Sequence, residues 1–146
     1  MSTNTEFPSP KEITRAWHLL DAQSESLGRV ASRAAILLMG KHKPIFSPFL
    51  DTGDHVIVVN AAKVRLTGRK EDQKVYRRHS GYPGGLASVG VRKLRAAHPA
   101  RLVYEAVAGM LPKTKLGKHM LRKLRVYPGD KHPHQAQQPV ALALAK

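Results

Sequence analysis

Four consecutive residues, Val56-Ile57-Val58-Val59, are apolar and β-branched with no polar alternation. Successive side chains of a strand point to opposite faces, so a strand with one wet face alternates apolar and polar residues. A run without alternation needs both faces dry, which is the environment of a parallel sheet with helices over it. Parallel strands also need a long crossover, usually a helix, and the preceding residues supply one. Ala16 to Leu20 is a short apolar run that holds the only tryptophan, Trp17, and ends at Asp21. Ser26 then offers a helix N-cap, and Leu27, Val30, Ala31, Ala34, Leu37 and Leu38 recur at amphipathic spacing. Gly40 falls where a helix C-cap is expected, and Pro44 and Pro48 keep the helix from resuming. Strand, helix and strand make a βαβ unit. A chain of 146 residues is one domain long.

Charge divides the chain. Residues 1–62 carry six Lys/Arg and six Asp/Glu, whereas residues 63–131 carry eighteen Lys/Arg against Glu71, Asp72, Glu105 and Asp130. The formal net charge of +15 opposes a compact state by self-repulsion unless a polyanion neutralises it. The neutral half reads as the folding core and the basic half as the partner surface. In the basic half, Lys74 to Arg78 reads as extended, leading into the turn-rich His79-Ser80-Gly81-Tyr82-Pro83-Gly84-Gly85. Pro99 opens a helix with Leu102, Val103, Ala106, Val107 and Met110 on its apolar stripe. A second helix follows Pro112, with Leu116, Met120, Leu121 and Leu124 on one face. Its other face carries Lys115, Lys118, His119, Arg122, Lys123 and Arg125. Val126-Tyr127 reads as the last strand, and the residues from Pro128 as an extended tail.

Several chemistries find no support in the sequence. Cysteine is absent, which removes disulfides, thiolate nucleophiles and Cys-based zinc sites. No apolar segment has the length of a signal-peptide core or a membrane span, so a cytoplasmic protein without membrane contact is expected. There is no G-x-G-x-x-G, and Gly40-Lys41 is followed by His42 rather than by Ser or Thr. His79-Ser80 has neither a nucleophile elbow nor a third triad member. His132-Pro133-His134 could chelate a metal with oxygens from Asp51 or Asp54. The expectation is instead that the histidines are polar groups offered to a partner, and that Asp51 and Asp54 form a turn beside Gly53. No catalytic residue, metal or cofactor is expected.

Five basic clusters remain: Lys41-His42-Lys43, Arg69-Lys70, Arg77-Arg78-His79, Arg92-Lys93 with Arg95, and Lys113 to Arg125. With aromatics at only 5%, a stacking platform for single strands is disfavoured. Phosphate and 2′-hydroxyl contacts to folded RNA suit the composition better. Gly81, Gly84 and Gly85 allow either a plain surface turn or close approach of a sugar-phosphate chain.

These motifs, in order, resemble the bacterial-type large-subunit ribosomal protein L-thirteen family. The matching blocks are Trp17 with Asp21-Ala22, Leu27-Gly28-Arg29 with Ala31-Ser32, Gly40-Lys41-His42-Lys43-Pro44, and Asp51-Thr52-Gly53-Asp54 leading to Val56 through Ala61. Leu66-Thr67-Gly68, His79 through Gly85, Gly109 through Lys113, Leu116-Gly117, Val126-Tyr127, His132-Pro133-His134 and Ala136 through Pro139 continue the series. Residues 1–15, Val91 to Arg95 and Val140 to Ala145 depart from it. The resemblance implies a single three-layer α/β/α domain with a mainly parallel four-stranded sheet over residues 16–127. A variable arm (1–15) and an extended tail (128–146) flank it. It also implies a non-catalytic, ribosome-bound role: binding 23S-type ribosomal RNA early in large-subunit assembly, beside neighbouring ribosomal proteins. A free regulatory RNA-binding protein, able to repress its own mRNA, is the alternative.

The expected RNA-contacting residues are Lys41, His42, Lys43, Lys63, Arg65, Arg69, Lys70, Lys74, Arg77, Arg78 and His79, then Ser80, Gly81, Tyr82, Gly84 and Gly85 of the turn. Lys113, Lys115, Lys118, His119, Arg122, Lys123 and Arg125 extend the set, with His132 and His134 from the tail.

Overall fold

The computed structural model describes residues 8–23 and 25–142. The first seven residues of the expected arm and the last four of the tail lie outside this range. Strand β1 (Trp17–Asp21) leads into helix α1 (Leu27–Met39), and β2 (His55–Val59) returns parallel to β1. A short helix α2 (Lys70–Gln73), strands β3 (Val75–His79) and β4 (Leu86–Gly90), and helices α3 (Val91–Ala97), α4 (Pro99–Met110) and α5 (Lys115–Arg122) follow. Strands β5 (Leu124–Val126) and β6 (Val140–Leu142) come last.

The main sheet has the order β5-β2-β1-β6, and each pairing in it is parallel. Leu20 lies opposite Val58 on one side and Leu142 on the other. Val56, Ile57, Val58 and Val59 are all buried, so both faces of β2 are covered, as the missing alternation requires. Helices flank the sheet, and α1 buries Leu27, Val30, Ala31, Ala34, Ala35, Leu37 and Leu38. It ends at Gly40, whose φ of 80° lets its N–H reach the Ile36 and Leu37 carbonyls. The loop beyond packs closely against this end. A Cβ on Gly53 would lie 1.7 Å from the Leu38 carbonyl oxygen.

Three elements differ from expectation. The stretch expected to be extended is so, as residues 75–79, but its antiparallel partner β4 was not foreseen, and the two form a separate two-stranded ribbon. The partner strand, Leu-Ala-Ser-Val-Gly, has too few β-favouring residues to announce itself. The last helix stops at Arg122, so Leu124 and Arg125 belong to β5 rather than to a helical face. The final strand is β6, and Val126-Tyr127 is not the last. Before β6 the chain is tied to the domain by Asn60, Ala61 and Ala62, whose N–H groups donate to the carbonyls of Gly129, Tyr127 and Pro128.

Candidate nucleic-acid interface

The start of α1 and the segment after residue 64 are locked together. The Leu27 N–H donates to the Arg65 carbonyl (3.0 Å), and the Arg65 N–H donates to the Glu25 carbonyl (2.8 Å). This places Arg29 of α1 with Arg65, Lys70 and Lys74 in the lining of one groove of about 530 Å³, which Ser26, Ser32, Thr67 and the carboxylate Glu105 also line. No acidic residue occupies the first turn of α1, and Ser26 makes no capping hydrogen bond. The positive end of the helix dipole therefore adds to the four cations. Arg29 was absent from the expected set because nothing in a Leu-Gly-Arg triplet shows that it will face a basic loop some forty residues away.

The ribbon presents a second surface. Arg77, Arg78 and His79 are exposed on β3, and Arg77 and Arg78 line a groove with Tyr76, Arg101 and Glu105. The turn is self-contained: His79 Nδ1 accepts from the Gly81 N–H (2.9 Å), and the Gly85 N–H donates to the Tyr82 carbonyl (3.0 Å). Gly84 has a φ of 72° with open space around it, whereas a Cβ on Gly85 would strike Ser80 Oγ. The Tyr82 side chain stands 76% exposed at the tip. Burial raises the pKa of the half-buried Tyr76, with a contribution from Glu105, and the hydroxyl has no hydrogen-bond partner among the described residues. The Lys74 ammonium lies 5.2 Å from the Tyr76 ring centroid.

Helix α5 forms a third surface. Thr114 caps it by accepting from the Gly117 N–H (3.2 Å), and Lys113, Lys115, Lys118, His119 and Arg122 are all exposed. Arg125 is exposed on β5, Lys41 is exposed in the loop after α1, and Lys63 is exposed at the end of a 3-10 turn (Ala61–Lys63).

Two expected contact residues turn inward. Lys123, at the C-cap of α5, is 8% exposed. Its Nζ donates to Asp51 Oδ1 (2.5 Å) and to the carbonyls of Gly53 (2.9 Å) and Leu38 (3.4 Å). Burial lowers its pKa, while Asp51 acts to raise it. Lys43 Nζ donates to Asp54 Oδ1 (2.5 Å) and to the carbonyls of Thr14 and Thr52. Amphipathic spacing placed Lys123 on the polar face, but the helix ends one residue earlier and the chain bends toward two carboxylates. Asp51 keeps a turn contact, accepting from the Gly53 N–H (3.3 Å). Asp54 does more than form a turn. It is buried and accepts from the Ala16 N–H (3.0 Å) and Lys43 on Oδ1, and meets His18 Nε2 (3.0 Å) and His42 Nε2 (2.9 Å) at Oδ2. Burial acts to raise its pKa, but the hydrogen bonds from Lys43, Ala16 and His18 outweigh it, and the net shift is downward.

The tail histidines pack inward in part. His134 Nε2 bonds the Tyr127 hydroxyl (2.8 Å), and its ring lies 5.3 Å from Trp17, which stacks on His55 at 4.3 Å. His132 Nδ1 accepts from the His134 N–H (3.3 Å).

The pattern of neutralisation separates the cations. Glu71 pairs with Arg95, Asp72 with Arg92 and Glu105 with Arg101. Three of the four carboxylates in the basic half are therefore held by arginines outside the expected contact set. Among the described residues, no ion pair involves Lys63, Arg65, Arg69, Lys70, Lys74, Arg77, Arg78, Lys113, Lys115, Lys118, Arg122 or Arg125.

A helix-flanked parallel sheet with several exposed cations that make no ion pair among the described residues defines an α/β protein with a strongly basic surface. Residues 15–133 match the family described as Ribosomal protein L13. The chain is 60% identical over 141 residues to "Large ribosomal subunit protein uL13" of Solibacter usitatus, covering 97% of this chain and 99% of that one. It is 58% identical over 142 residues to the protein of the same name in Thermobifida fusca (97% and 95% covered). Identity to that of Thermotoga petrophila is 54% over 140 residues (96% and 94% covered). The chain belongs to the Ribosomal protein L13 family.

Proposed function

We propose that this chain is a structural constituent of the large ribosomal subunit that binds 23S-type ribosomal RNA and supports early subunit assembly beside neighbouring ribosomal proteins. The observation that carries this reading is the distribution of ion pairs. Three acids of the basic half neutralise Arg92, Arg95 and Arg101, and among the described residues the cations of the α1 groove, the ribbon and α5 have no carboxylate partner. Separate surfaces of this kind suit RNA helices that approach one another, where each phosphate contact fixes position and shape carries recognition. The relatives' names support the ribosomal setting. No helix among the described residues is long and apolar enough to cross a membrane.

The test is binding to 23S ribosomal RNA and to an unrelated RNA of equal length between about 50 and 200 mM salt. Six to ten phosphate contacts predict a loss of roughly 10³–10⁵ in affinity over that range. The triple variant Arg29→Ala, Arg65→Ala, Lys70→Ala should flatten the slope by about three contacts. A flat slope for the unmodified chain, or no preference for the ribosomal RNA at high salt, would overturn the reading.

A further inference from the structure

We propose that His18, His42 and Asp54 form a binding site for a divalent ion of the zinc class. The three come from different segments: His18 from β1, His42 from the loop after α1, and Asp54 from the residue before β2. Their ligand atoms all lie within 4.8 Å of one another. The two imidazoles converge on the same oxygen, Asp54 Oδ2, with their rings at 88°. Zinc bonds of about 2.0–2.2 Å to imidazole nitrogen and carboxylate oxygen place neighbouring tetrahedral ligands about 3.3 Å apart. The observed separations of 3.0 and 2.9 Å are a few tenths of an ångström shorter, a difference that small side-chain rotations remove.

The surroundings orient the ligands. Asp54 Oδ1 is held by Lys43 and by the Ala16 N–H, which leaves Oδ2 as a single fixed donor. Such outer contacts on a ligating carboxylate are the usual support of a metal site. With a proton in place of the ion, each Nε2 carries its hydrogen toward Oδ2. Ion binding requires the neutral tautomer with the hydrogen on Nδ1, so that Nε2 is free to ligate. His18 Nδ1 is buried and has no hydrogen-bond partner among the described residues, so nothing donates to that nitrogen, and the Nε2 contact to Asp54 that sets the present tautomer is the one the ion replaces. The His42 side chain is 31% exposed and Asp54 only 1%, giving an entry side and a closed back. Two imidazoles with one carboxylate favour zinc or cobalt over magnesium or calcium, which take oxygen ligands. The Lys43 ammonium limits affinity, and water supplies the fourth position.

Cobalt(II) and zinc titrations of the full chain, without RNA, test the site independently of the ribosomal reading. The expected result is one cobalt per chain with the visible bands of a four-coordinate nitrogen–oxygen site, displaced by one equivalent of zinc. His18→Ala and His42→Ala should each weaken binding at least about tenfold, and His98→Ala should leave it unchanged. If His18→Ala loses the native circular dichroism spectrum, His42→Ala, on the partly exposed side, carries the comparison alone. Absence of stoichiometric cobalt or zinc binding overturns the proposal. So does binding that survives His42→Ala, or that is lost instead in His132→Ala with His134→Ala.

Discussion

Lys123 and Asp51 show how a single contact removes a residue from a surface. The ammonium is nearly buried, with a carboxylate and two carbonyls as its acceptors. Removing one member of a buried pair leaves the other uncompensated. Lys123→Met should therefore cost about 3 kcal/mol in urea denaturation, and should change the salt slope of RNA binding far less than Lys118→Met. Acid should destabilise the fold in two stages. Burial, Lys123 and Arg15 lower the His55 pKa from 6.5. Below pH 6.5 the unfolded chain therefore binds the proton more readily, and stability falls until the folded value is passed. The Asp54 pKa is lowered from 3.8, so its contribution is present above that value and lost as pH falls through the folded pKa. Urea midpoints measured against pH should show both stages. His55→Phe, which retains a ring beside Trp17, should abolish the first stage alone. Neither inward lysine was legible in the sequence, where Lys43 and Lys123 look like every other basic residue around them.

At the scale of elements, the first βαβ unit was readable nearly throughout, because periodicity is a local property. The α1 stripe, the Gly40 cap and the unbroken β2 run all report burial directly. The first strand of the ribbon and its turn were legible, but β4, α3 and β6 were not: α3 buries only Val91 and Leu94, and β6 is a three-residue edge strand whose partner lies more than a hundred residues earlier. Two glycines distinguish packing from presentation. Gly53→Ala forces a methyl into the Leu38 carbonyl and should lower stability by about 1–3 kcal/mol, as overpacking does. Gly84→Val meets no neighbour, but its φ of 72° costs a branched residue about 1–2 kcal/mol. The ribbon alone should absorb that cost. Thermal denaturation should show the Gly53 variant melting well below the Gly84 variant, whereas affinity for ribosomal RNA should fall in the Gly84 variant.

For the whole molecule, a net charge of +15 and so few neutralised surface cations predict that the free chain is stabilised by salt. Screening shortens the reach of self-repulsion to about 8 Å at physiological ionic strength. The melting temperature should rise between low and moderate sodium chloride even as RNA affinity falls, and scanning calorimetry across the same salt series checks it. The sequence by itself determined the parallel sheet, the crossover helix, the partition into a neutral and a basic half, and the family. The first three are written in local spacing or in simple counts along the chain, and the family in the ordered motifs that resemble it. Only the tertiary structure decided which charges are left over. Arg95 meets Glu71, Lys123 meets Asp51, and Arg29 joins Arg65 and Lys70 because the fold closes long loops. A charge's effect depends on its distance from other charges and from water, and neither distance can be read from position along the chain.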